Sequence, residues 1–270
     1  MARTDLHLHN YYPATSWLWS ASLDQAFAYF VDELTIWMRE TNGTIRATSI
    51  KVGYDGMIGG QTRKLMEAAA GAAHQTGVAA LLHTEEGMNV GALLPFFANR
   101  GVPPDRLYLR HIDKCPDIGL HGELARAGVL LGYDTFVRPK DNQSARRLIH
   151  ALVADGLDGS IAIGLNLAMA SMWRRYGGQP GLLFLNEQVL PRLRGRYRRV
   201  RDDLANGAEC RPALSLANPG AMICYDTRIL ETAHRPDDVL YRRDHREVVD
   251  HEALPAVVEH SEVGSVDRGL

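Results

Sequence analysis

Cysteine is scarce in this chain of 270 residues; Cys115, Cys210 and Cys224 are all it has. Three thiols so far apart argue against a disulfide framework and for a reducing compartment. Long apolar runs are absent. No stretch of about 18 apolar residues occurs, so no membrane span is expected. The opening MARTDLHLHN has no apolar secretion-signal core, which makes the cytoplasm the expected location. An excess of one charge is missing too. The formal net charge is -2 at pH 7, so neither nucleic acid nor a membrane surface is expected as a partner. There is no phosphate-cradling glycine loop of the P-loop type and no G-x-S-x-G elbow. No internal repeat is seen beyond a strand–helix unit, and no low-complexity tract.

What is present is an ordinary globular composition, 46% apolar and 23% charged, long enough for a sizeable core. Short apolar runs read as buried strands: ATSIKV at 47–52, VAALLH at 78–83, LYLRHI at 107–112, VLLGYD at 129–134 and IAIGLNL at 161–167. Between them, 63–76, 90–100, 120–127 and 144–154 carry apolar residues at helical spacing. A glycine follows each segment, at Gly77, Gly101, Gly128 and Gly156, the usual signal just past a helix end. Strands recur roughly every 20–30 residues, the period of a strand–helix unit. The pattern predicts an α/β protein with a parallel sheet, and leaves a barrel and a doubly wound sheet both open. Residues 1–225 read as one domain. Residues 226–270 are densely charged with weak periodicity, and read as a C-terminal extension.

Chemistry collects at strand ends. Lys51, His83, His111 and Asn166 each close a predicted strand, and in parallel α/β folds that end is the ligand-binding face. A lone strand-end histidine is more often a hydrogen-bonded structural residue than a metal ligand. Two of them with a lysine shift the balance towards a site. In TDLHLHN, His7 and His9 share one face if the segment is a strand, and two imidazoles so placed suit a metal ion.

The spacing of these motifs resembles the phosphotriesterase family of the amidohydrolase superfamily. The matching pieces are KVG at Lys51, LLHTEEG around His83, GVPPDRLYLRHIDKCPD through His111, GVLLGYDTFVRPK at 128–140 and WRRYGGQPGL at 173–182. Weaker similarity includes ALSLANPGAM at 213–222, which looks like the family's closing helix. The resemblance implies a TIM (β/α)8-type barrel and a centre of one or two divalent ions, usually zinc. It implies that Lys51 is carbamylated, since an ammonium cannot bind a metal whereas a carbamate offers two anionic oxygens. His83 and His111 match the two histidines on one of the metals. A water activated by the ion would be the nucleophile, and the substrate a phosphoester or a lactone.

Two departures from the family stand out. Where the family has a metal-binding, proton-accepting aspartate on its last strand, this chain has Asn166. An amide oxygen ligates weakly and cannot act as a base; Asp134, on the preceding strand, is a candidate substitute. The family's His-x-His pair also lies much farther ahead of the lysine than His7 and His9 do here. On that distance the DLHLH segment matches the family's third strand, and the barrel is incomplete, with about six strand–helix units. His7 and His9 are then either a coincidental pair or a rearranged replacement for the first strand. Six strands do not close as eight do, so self-association through open sheet edges is expected.

Arg138 and Lys140 follow a strand end and would suit an anionic group, which favours a phosphorylated sugar lactone among small-molecule substrates. Asp113 and Tyr176 are further candidates for substrate contact. The basic run at 192–201 reads as a solvated helix face rather than a nucleic-acid patch. The alternative to an enzyme is a degenerate family member that binds a ligand or partner.

Overall fold

The computed structural model describes residues 3–8, 11–13, 15–138 and 142–194. His9, Lys140, Cys210, Cys224, the 213–222 segment, the basic run beyond Arg194 and the 226–270 extension lie outside them. The described residues form two compact units, one running to Leu165 with Leu193 and beyond, the other Asn166–Arg192.

The first unit holds six parallel strands: β1 (Thr4–Leu6), β2 (Ser49–Tyr54), β3 (Ala79–Thr84), β4 (Leu107–Arg110), β5 (Leu130–Tyr133) and β6 (Ile161–Ile163). They pair in strict chain order with β1 and β6 at the ends. A doubly wound sheet reverses its order at a switch point; this one does not. The order is that of a TIM-type barrel reduced to six units. Helices fill the crossovers: α1 (Trp17–Ser20) and α2 (Leu23–Thr35), α3 (Gly60–Thr76), α4 (Leu93–Ala98), α5 (Ile118–Arg126) and α6 (Asn142–Ala154).

Local chemistry sets the boundaries. Ser22 opens α2 with a capping box: its hydroxyl accepts from Gln25 N–H at 3.1 Å and Gln25 Oε1 accepts from Ser22 N–H at 2.8 Å. Asp117 caps α5, accepting from Leu120 N–H at 3.0 Å. The glycines expected past the helix ends, Gly77, Gly101, Gly128 and Gly156, all take positive φ. The helical pattern over 90–100 resolves into a 3-10 turn, Val90–Ala92, and a short α4. The run at 161–167 is strand only to Ile163, although Gly164 N–H still reaches Tyr133 O at 2.9 Å. Asn166, at φ 44, has left the extended region.

The core lies between the outer sheet face and the helices. Ile50, Val52, Leu82, Leu109 and Leu131 are wholly buried there, each worth about 1.5–3 kcal/mol in transfer from water. Helix α3 buries Ala68, Ala69, Ala70, Ala72 and Ala73, small side chains that let it pack closely. Alternation then turns Asp5, Lys51 and His83 onto the inner face. Gly53, two residues past Lys51, shares that face. A Cβ there would stand 2.6 Å from Leu8 N, so its bare backbone lets the chain leaving β1 pass close over β2.

The second unit is built from turns. The 3-10 turns Ala170–Met172 and Arg174–Tyr176 precede a π turn, Leu185–Val189. Trp173 Nε1–H donates to Leu167 O at 2.9 Å and Gln179 N–H to Ser171 O at 2.9 Å. Among the described residues, no helix is long and apolar enough to cross a membrane.

Candidate metal centre

The strand ends of the first unit carry Asp5 and Lys51 as one pair, and His7, His83, His111 and Asp134 as a run of contacts. Register explains much of it. Asp5 is the partner of Lys51 across β1–β2, and Gly53 the partner of His83 across β2–β3. His111 follows β4 in the left-handed region, at φ 60. That turn departs from strand alternation right after Arg110, the partner of His83 in β3–β4.

His83 and His111 meet at their ring nitrogens. His83 Nδ1 lies 3.1 Å from His111 Nε2. Each ring is held by a carboxylate on its other nitrogen. Glu85 Oε2 is 2.7 Å from His83 Nε2, and Asp134 Oδ1 is 2.7 Å from His111 Nδ1. A carboxylate accepts a hydrogen bond, so those two nitrogens carry protons. The hydrogen bond from His83 is the main reason that Glu85 stays ionised, its pKa pulled down to about 2. Burial lowers the pKa of His111 and keeps its imidazole neutral, against the opposing pull of Asp134. The nitrogens that face each other are hydrogen-bonded when one ring carries a second proton, and offer two lone pairs when both rings are neutral.

Two lone pairs at that separation repel unless a proton or a cation lies between them. Two nitrogen ligands on one tetrahedral zinc, each at about 2.0–2.1 Å, stand roughly 3.3 Å apart. The donor set thus fits a metal ion, and the carboxylate on each imidazole is the usual outer support. Among the described residues, no three His, Cys, Asp or Glu side chains close around one point. The pair alone would supply two of the four ligands that a tetrahedral ion takes.

Lys51 is fully buried, and its Nζ is 3.2 Å from Asp5 Oδ2. His7, two residues after Asp5, is also buried. Its ring packs on His83 with centroids 4.3 Å apart and on Tyr11 at 4.1 Å, and its Nδ1 accepts from Leu8 N–H at 2.8 Å. Asp113 is wholly buried. Its Oδ2 accepts from Asp134 N–H at 3.0 Å, Thr135 N–H at 2.9 Å and the Thr135 hydroxyl at 2.7 Å. It ties the end of β4 to the end of β5. Burial, then the charge of Asp134, push its pKa up to about 7. Arg138 is half-buried just past β5, its N–H bonded to Thr135 O at 2.8 Å. Asn166 and Tyr176 belong to the second unit; Asn166 is half-buried and Tyr176 is 67% exposed.

Three residues of this set escape a reading of the sequence. Asp5 shares a face with His7, so D-x-H was there to be seen. Glu85 stands two residues after His83. Arg110 is buried on the same strand end, its guanidinium 3.9 Å from Asp134 Oδ2; a charge inside an apolar run was the available signal.

Parallel strands in chain order, with histidines, a buried lysine and carboxylates at their C-terminal ends, define a TIM-barrel-type fold with its polar groups on the ligand-binding face. A sequence model of the phosphotriesterase family matches residues 4–202, more than half of the chain. The chain belongs to the phosphotriesterase family. Similar solved structures agree on the fold. An amidohydrolase from Mycoplasma synoviae shares 26% identity over 86% of this chain and 72% of that one, with a TM-score of 0.69. A phosphotriesterase homology protein from Escherichia coli, holding phosphate in its active site, shares 23% identity over 74% and 70%, with a TM-score of 0.66. A lactonase from Listeria monocytogenes shares 20% identity over 76% of this chain, with a TM-score of 0.62. The present chain spans 65% of the length of that lactonase.

Proposed function

We propose that the chain is a metal-dependent hydrolase of the phosphotriesterase type, acting on phosphoesters or lactones. The observation that supports this most is the pair of facing ring nitrogens on His83 and His111, 3.1 Å apart, with a carboxylate on the other nitrogen of each ring. His83, His111 and a carbamylated Lys51 would hold one or two divalent ions, with zinc the first candidate. A bound ion would supply an activated water near neutral pH and polarise the substrate's carbonyl or phosphoryl oxygen. Asp134 and Glu85 orient the two imidazoles, and Asp113 holds the loop end that carries His111. Arg138 and Lys140 suit an anionic group on the substrate, which favours phosphorylated sugar lactones. A groove of about 460 Å³, lined by Tyr54, Gly56, Ile58, Asn89, Gly91 and Ala92, offers room for a small molecule beside the ends of β2 and β3.

The motif resemblance supports a second reading. It aligns Asn166 with the family's aspartate, and a carboxamide cannot take a proton from water. A catalytically degenerate member would keep the fold and bind a ligand or partner instead. A panel of lactones, phosphorylated lactones and phosphoesters, assayed with divalent ion and bicarbonate, separates the two. The enzyme reading expects turnover in wild type that vanishes in H111A and rises in N166D. No turnover in wild type or in N166D would leave the binding reading.

A further inference from the structure

We propose that Asp5 is a ligand of the metal centre, an anionic oxygen contributed by the first strand where the chain has an asparagine, Asn166, in its last-strand motif. The inference rests on the centre proposed above and names a ligand within it.

Asp5 is the parallel-register partner of Lys51, so the two side chains leave adjacent strands at the same level and on the same face. Asp5 Oδ2 stands 3.2 Å from Lys51 Nζ, and the side chain is 15% exposed. Its other oxygen, Oδ1, is buried and has no hydrogen-bond partner among the described residues. A buried carboxylate oxygen left without a donor is costly, and a cation is the natural group to satisfy it. The same strand carries His7 two residues on, packed against His83. The segment that holds Asp5 therefore abuts the imidazole pair. The carboxylates nearest that pair are already engaged, Glu85 by His83 and Asp134 by His111. Asp5 is bound to neither imidazole.

Charge gives the arrangement its logic. Lys51 as an ammonium balances Asp5. Carbamylation of Lys51, in which the ammonium first gives up a proton and the free amine then adds carbon dioxide and releases another, would replace that cation by an anion beside a carboxylate, and two anions so placed repel. A divalent ion between them reverses the sign of the interaction. Asp5 would then turn from the ammonium to the ion, so that carbamylation and metal uptake favour each other. A buried ion pair that serves only the fold is the competing account.

The test is calorimetric titration of zinc into the full chain, stripped of metal and supplied with bicarbonate, for wild type, D5N and H83A. Losing an outer partner of a metal ligand costs about 10–100-fold in affinity, so losing a ligand should cost at least that. D5N is expected to bind zinc at least about tenfold more weakly than wild type, with the circular dichroism of a folded chain. D5C provides the direct check, and decides if D5N does not fold. Its thiolate should give a cadmium–sulfur charge-transfer band above the wild-type background. Wild-type zinc affinity in folded D5N, or no added band in D5C that binds cadmium, overturns the assignment. If H83A still loses zinc in that case, the centre stands without Asp5. If wild type takes up no zinc, centre and ligand fall together.

Discussion

Replacing Asp113 should unfasten the strand ends that carry His111 and Asp134. Asp113 Oδ2 accepts three hydrogen bonds, from Asp134 N–H, Thr135 N–H and the Thr135 hydroxyl. D113A leaves all three donors buried. Each orphaned donor costs about 1–3 kcal/mol, but the substitution also removes a carboxylate that burial disfavours. The net loss should be about 2–4 kcal/mol. D113N keeps an acceptor oxygen and should lose far less. pH separates the two effects further. Asp113 has a pKa of about 7 in the fold against an ordinary 3.8. Between those values the folded chain holds a proton that the unfolded chain has lost. The contribution of this group therefore favours the fold below about pH 4 and is lost as pH rises through 7, at roughly 1 kcal/mol per unit. D113N has no such titration, so its stability relative to wild type should rise across that window. Urea unfolding at several pH values, with chelator present so that no metal holds His111, reads both effects. D113A within about 0.5 kcal/mol of wild type, or a D113N-minus-wild-type difference that stays flat with pH, would refute the reasoning.

Other perturbations probe the frame around the centre. G53A sets a Cβ 2.6 Å from Leu8 N; a contact with backbone has no soft side chain to yield, so unfolding should show a loss of about 1–3 kcal/mol, and a neutral result would mean that the crossing is loose. S22A removes one arm of the capping box on α2 and should cost about 1 kcal/mol by the same assay; no change would mean that packing against α3 alone holds that helix. Among the described residues β1 and β6 end the sheet order, and an edge strand left unpaired invites pairing; light scattering should find dimers or larger species, and a stable monodisperse monomer would count against open edges.

Much of this architecture could be read from composition and spacing. The five apolar runs became β2 to β6 because strands buried on both faces need continuous apolar sequence. The helix ends fell at glycines that supply positive φ. The strand-end rule brought out Lys51, His83 and His111. Barrel against doubly wound sheet stayed open because the winding order of strands leaves no local mark on sequence. Helix α2 was overlooked, though its capping box and amphipathic face were there. Asp5 and Glu85 were harder to see. A carboxylate beside a histidine in sequence looks like ordinary surface charge until register shows which side chains meet. Asp113 is a further case: the sequence leaves open whether it orients ligands or contacts substrate, and its geometry is that of a clamp between two strand ends.

The central claim is that Lys51, His83 and His111 hold a divalent metal. Elemental analysis of the purified chain tests it most directly, with K51A and H83A as controls and reconstitution in divalent ion and bicarbonate. The account predicts about one or more tightly held zinc-like ions per wild-type chain and loss of metal in both variants. A wild type without metal after reconstitution, or variants that retain it in full, would contradict the account.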